Sequence, residues 1–175
     1  MVTIYLSKPM YMKKNIFYSI IICIALVSCN QQKATDDNLA KFNKNLVVAK
    51  QFIEAFSAND SIKEASLLSE DLLAYGPGIG QDSISKDNIM KGDKDAMNTY
   101  SKIELTNAKY FPGLDDDYKI SPVVRIYGTW IFKFAKSGKL SKMKFYAELK
   151  INDAGKIYEF REWCELADMS KELDK

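Results

Sequence analysis

The chain has 175 residues, 47% hydrophobic and 27% charged, a balance that suits one globular domain and excludes a disordered chain or a fibrous repeat. Its 25 Lys+Arg nearly offset 23 Asp+Glu, its 8 Gly and 4 Pro are too few for a low-complexity linker, and it has no His. Imidazole bases and His-based zinc sites are therefore excluded.

Residues 16–27, "IFYSIIICIALV", form an apolar run directly after Lys13 and Lys14. This is the charged and apolar pattern of a secretory signal, and it falls short of the roughly 20 residues a membrane-spanning helix needs. Leu26-Val27-Ser28-Cys29 resembles the lipobox of bacterial lipoproteins. That resemblance implies a signal peptide over residues 1–28 and acylation, palmitate included, at Cys29. Met12 directly precedes the lysines, so residues 1–11 fit an upstream over-extension of the true start. Cleavage removes Lys8, Lys13 and Lys14 and no acid, which takes the formal charge of +2 down by three to −1. Without a basic surplus, nucleic acid is excluded as a partner. Of the 3 Cys, Cys23 leaves with the signal and Cys29 carries lipid, so Cys164 stands alone without an intramolecular disulfide.

Residues 29–38 read as a lipidated flexible tether, and the domain is expected over residues 39–175. Asn30, in place of an inner-membrane retention Asp, points to a lipid anchor in the outer membrane of a bacterial envelope, facing the periplasm or the surface. Asp36-Asp37 is similar to the surface-export signals of some Gram-negative lineages.

Leu39, Phe42, Leu46, Ala49, Ile53 and Phe56 lie on one stripe of a long helix. Ser61 to Glu64 fits a capping box opening a short helix that runs to about Ser69. "LLAYGPGIG" predicts a brief strand broken at Gly76-Pro77-Gly78. Ser85 is the expected cap of a third helix carrying Ile89, Met90, Met97 and Tyr100. From Lys102 the period changes to two. "KIELTNAKYF", "VVRIYGTWIFKF", "KMKFYAELKI" and "KIYEFREWCEL" predict four strands of an antiparallel meander, joined by turns at Ser137-Gly138 and Asn152 to Gly155. Helices first and strands afterwards indicate an α+β fold, one curved sheet wrapped around the long helix.

This order, with "VRIYGTW", "FYAELKINDAGKI" and "FREWCEL" as its most specific segments, resembles the nuclear transport factor 2-like superfamily, in particular its SnoaL-like branch, over residues 39–169. The resemblance implies a cone-shaped, mainly antiparallel (mixed) sheet, an apolar pocket at its open end, and dimerisation through the outer sheet face.

Within "FREWCEL", the resemblance sets Glu162 on a pocket carboxylate position, with Phe160 beside it and Arg161 outward. A carboxylate there loses hydration, which raises its pKa and suits a general acid or base. Epoxide hydrolysis needs a second Asp and an Arg that Gly128 and Trp130 do not supply, and dehydration of the scytalone type needs His. An isomerase of the ketosteroid type would recruit Tyr75 or Tyr100. Binding is the expected function: a small apolar ligand among Trp130, Tyr75, Tyr100 and Phe160, with Glu162 as a polar contact and no cofactor or metal. The alternatives are an isomerase, dehydratase or hydrolase using Glu162, and a non-catalytic homodimeric module associating through Tyr146, Glu148 and Lys150. Trp130, Phe132 and Phe134 read as a core row, Asp115-Asp116-Asp117 as a solvated loop, and Cys164 as a small hydrophobe.

Overall fold

The computed structural model describes residues 37–77 and 82–164. The expected signal segment 1–28, the lipidation residue Cys29, tether residues 29–36 and residues 165–175 lie outside them. Among the described residues no helix is long and apolar enough to cross a membrane.

The apolar stripe winds into α1, residues 37–57. Phe42, Ala49 and Ile53 are buried, and Leu46 and Phe56 pack half-buried against the core. Phe52 is buried as well, which widens the apolar face by one ridge, whereas Leu39 stays exposed.

Helix α2 spans Ser61–Leu67, and its cap differs from expectation. Asp60, not Ser61, holds the N-cap, its carboxylate accepting from the Lys63 N–H at 2.9 Å. A capping box needs its Glu three residues after the cap. With the cap at 60 that position is Lys63, so Glu64 is released from capping and turns inward, with 0% exposure. Asp60→Ala is expected to cost about 1 kcal/mol, read as a lowered thermal midpoint, while Ser61→Ala should leave that midpoint nearly unchanged.

β1 (Leu68–Tyr75) and α3 (Lys86–Thr99) follow. Ser85 occupies the N-cap of α3 but makes no side-chain cap bond. The predicted meander is then laid down as β2 (Tyr100–Leu114), β3 (Ile120–Phe134), β4 (Leu140–Ile151) and β5 (Ile157–Cys164). The sheet order is β1-β5-β4-β3-β2, and β1 runs parallel to β5, which makes the sheet mixed. Asn38 and Asn45 of α1 donate to the Ile120 and Pro122 carbonyls, each at 2.8 Å, and so fix the helix to the start of β3.

The hairpin turns place Gly138 at φ 71° and Gly155 at φ 72°, the left-handed conformation that favours glycine. In the β2–β3 turn Asp115 accepts from the Asp117 and Lys119 N–H groups at 3.0 and 2.9 Å, so this acid closes the loop.

Alternation buries Val124, Ile126, Trp130, Phe132 and Phe134 of β3, and Met143, Phe145, Ala147 and Leu149 of β4, beneath α1. β5 departs from simple alternation. Lys150 pairs with Glu159 but Ile151 pairs with Ile157, an extra residue on β5. A bulge of this kind switches the face of everything before it. Ile157 is therefore buried and Tyr158 exposed, the reverse of unbroken alternation.

Candidate ligand pocket

After the bulge, Phe160, Glu162 and Cys164 point to the α1 side of the sheet and line a cavity of about 180 Å³. Trp130 and Phe132 of β3 and Phe145 of β4 complete its sheet wall, and Tyr100 enters from the start of β2. Opposite them, α1 supplies Phe52 and Phe56, and α3 supplies Ile89, Asp93 and Ala96. The rings interlock: Phe56 meets Trp130 edge-on at 5.3 Å, Phe145 meets Trp130 at 5.6 Å, and Phe52 meets Phe160 at 5.8 Å.

Of the expected ligand contacts, Trp130, Tyr100, Phe160 and Glu162 come together in this cavity. Tyr75 does not. It pairs with Arg161 across the β1–β5 ladder, and its ring lies 4.5 Å from the Arg161 guanidinium, on the face opposite Glu162. The cause is alternation on β1, where Leu72 and Ala74 take the buried face and leave Tyr75 the other.

Two lining carboxyls were not anticipated. The spacing from Ser61 assigns Glu64 to a capping box instead. Asp93 carried a usable signal, since Ile89, Asp93, Ala96 and Tyr100 follow one another at helical spacing, which sets an acid in an apolar stripe. Burial pushes Glu64 well above the usual carboxylate range, and the neighbouring Asp93 charge and hydrogen bond add to it. Burial raises Asp93 too. Both oxygens of Glu64 lack an N–H or O–H partner among the described residues, so its contact with Asp93 requires a shared proton. Ionising both would cost about 4 kcal/mol of repulsion at 4 Å and an effective dielectric of 20; sharing one proton avoids that. Glu162 is pushed up to about 7, chiefly by burial and secondarily by the Asp93 charge. Burial, reinforced by Glu162, lifts the Cys164 thiol to about 12, which keeps it protonated and poorly nucleophilic. No Lys or Arg is among the described residues lining the cavity.

The opposite face of the sheet is built differently. Tyr127, Tyr146 and Trp163 stack in a row at 4.7 and 4.9 Å, and Tyr146 donates to Glu148. Glu148 pairs with Arg125 at 3.1 Å, and Glu159 with Lys150 at 3.0 Å and Arg161 at 2.8 Å.

A helix-backed mixed sheet of this kind is shared by many solved structures. A phenazine biosynthesis-related protein from Pseudomonas aeruginosa superposes with a TM-score of 0.60 at 18% identity, over 77% of this chain and 83% of that one. A protein assigned to the SnoaL-like polyketide cyclases from Shewanella denitrificans gives 0.59 at 14% identity, over 74% and 96%. A nuclear transport factor 2-like protein of unknown function from Burkholderia pseudomallei gives 0.58 at 16% identity, over 73% and 95%. The fold is nuclear transport factor 2-like. At these identities the likeness carries the fold alone, and no family sequence model and no curated protein matches the chain. What the nuclear transport factor 2-like domain does must be argued from its pocket.

Proposed function

We propose that the domain binds a small, mainly apolar molecule in this cavity, with Trp130, Tyr100 and Phe160 as its walls and Glu162 as a polar contact. The observation that carries this reading is an aromatic-lined hollow between sheet and helices with three carboxyls turned into it. Size limits the ligand. Drug-sized pockets run from about 300 Å³ upward, whereas a cavity of about 150 Å³ accommodates benzene; at about 180 Å³ this one suits a body of one ring and a few further atoms.

A second reading, proton-transfer catalysis, is favoured by Glu162 itself. Its pKa of about 7 suits an acid or base working near neutrality, and the raised Glu64–Asp93 pair stands as a proton store beside it. Some proteins of the same fold bear names of enzymes, polyketide cyclase among them. Glu162→Gln separates the two readings. Under the binding reading, a ligand that co-purifies with the full chain in native mass spectrometry should still co-purify with the variant at reduced occupancy; if catalysis operates, turnover of that ligand should stop while binding persists. Absence of any bound small molecule, together with failure of single-ring probes to bind, would sink both.

We extend the proposal to the chain's setting. Lys13, Lys14, the apolar run and Cys29 support a lipid-anchored envelope protein, and the exposed aromatics Tyr127 and Trp163 on the outer sheet face support that face as a homodimer surface. Metabolic labelling with a palmitate analogue, lost in Cys29→Ser, tests the first. Native mass spectrometry of the mass of the assembly tests the second.

A further inference from the structure

The pocket carboxyls differ from Glu148 and Glu159 in having no basic partner among the described residues. Glu148 and Glu159, on the outer face, are each paired with Arg or Lys. Glu64 is more deeply buried than either, at 0% exposure, and it lines the cavity with no donor among the described residues to its remaining lone pairs beyond the proton it shares with Asp93. A buried acceptor without a donor is unfavourable, and it is retained where something else supplies the donor.

The missing donor can be characterised. No three His, Cys, Asp or Glu among the described residues stand close enough to hold a metal ion, whereas a hard cation such as calcium wants six or more oxygens at short range. A primary ammonium fits better. It is wider than a bare ion, carries three N–H donors and no acceptor, and brings the positive charge that the described lining residues lack. The remaining wall suits what an amine must carry with it: Trp130, Phe56 and Phe145 offer ring surfaces to an apolar body and to a nearby cation.

We propose that this cavity selects small primary amines, one protonated amino group on an apolar body of about one ring, with the ammonium donating to Glu64, Asp93 and Glu162. The inference rests on the small-ligand reading of the same cavity and narrows it to a chemical class. Entry of the cation displaces the protons these acids hold. The titratable groups facing the site are Glu64 from α2, Asp93 from α3, Tyr100 at the start of β2, and Glu162 and Cys164 from β5, while the described lining residues of α1, β3 and β4 are all apolar or aromatic without a titrating group. Amine binding therefore releases protons and tightens as pH rises through the carboxyl range, up to the point where the amine itself deprotonates.

Isothermal titration of the full chain carrying Cys29→Ser with benzylamine, benzyl alcohol and benzoate tests this. Benzylamine is expected to bind at least about ten-fold tighter than benzyl alcohol at neutral pH, and benzoate more weakly than either, because only the ammonium forms charge-assisted bonds to the three acids. Glu64→Gln and Glu162→Gln should each reduce that preference to about two-fold or less; Glu148→Gln, on the outer face, should retain the preference. Should Glu64→Gln fail to fold in a thermal melt, Glu162→Gln and the amine-to-benzoate ratio decide. Equal or tighter binding of the alcohol, or a preference that survives both pocket variants, overturns the amine assignment and leaves small-ligand binding standing. Binding of none of the three overturns both.

Discussion

The domain without ligand is expected to be more stable at pH 5 than at pH 8. Glu162 rises from 4.5 unfolded to about 7 folded, so the folded state holds a proton the unfolded chain releases. A group with a raised folded pKa contributes its stability fully below the unfolded value and loses it as pH climbs through the folded one. For Glu162 alone the loss between about pH 4.5 and 7 is roughly 3 kcal/mol, from about 1.4 kcal/mol per unit of difference. Glu64 and Asp93, also raised by burial, act in the same direction.

Glu159 has the opposite sign. Burial would raise it, but hydrogen bonds from Lys150 and Arg161 outweigh burial and hold it low, so its contribution is lost only as pH falls below about 4.5, outside this window. The thermal midpoint at pH 5 should exceed that at pH 8 by about 10 °C for a domain of this size. Glu162→Gln should flatten the slope by a large part. A profile that is flat or rises toward pH 8 would show that these carboxyls are ionised and solvated, and that the pocket is wet.

Trp130→Ala is expected to be the most damaging single substitution in the pocket wall. The ring is 4% exposed and touches Phe56, Phe132 and Phe145 at 5.3 to 6.0 Å between centroids. Deleting it removes the largest side chain from the layer between α1 and the sheet, and neighbours pinned on α1, β3 and β4 cannot collapse into the gap. The cost should be about 3–5 kcal/mol, measured as a shift in the urea midpoint at unchanged slope. Trp163→Ala is the matched control: it stands 47% exposed on the outer face, and its loss should fall below about 1 kcal/mol. Similar costs for the two would mean that Trp130 is a solvent-facing pocket wall and not part of the core.

The periods of the sequence were enough to order the elements. The α1 stripe, the four β-strands and the turns at Gly138 and Gly155 lie where spacing put them, because amphipathic period and left-handed turn geometry are set by neighbours within a few residues. Where spacing misled, the competing interaction was local but close in energy. Asp60 outcompeted Ser61 for one cap, and a single extra residue in β5 reversed Ile157 and Tyr158.

The pocket was only half legible for a different reason. Glu162 and Trp130 follow from the family resemblance at "FREWCEL" and "VRIYGTW", but Glu64 and Asp93 sit on helices whose inward faces depend on what they pack against. Tyr75, expected among the ligand contacts, lies on the opposite face, a position fixed only once β1 pairs in parallel with β5, nearly ninety residues away along the chain. By itself the sequence determined the kinds of element and their order, since those follow from repeats a few residues long, whereas the pocket position of Glu162 came only with the family resemblance. Only tertiary structure decided that residues 64, 93 and 162 share one apolar cavity with no compensating cation among the described lining residues, because desolvation and charge balance are properties of the whole packed volume and no short stretch of chain encodes them.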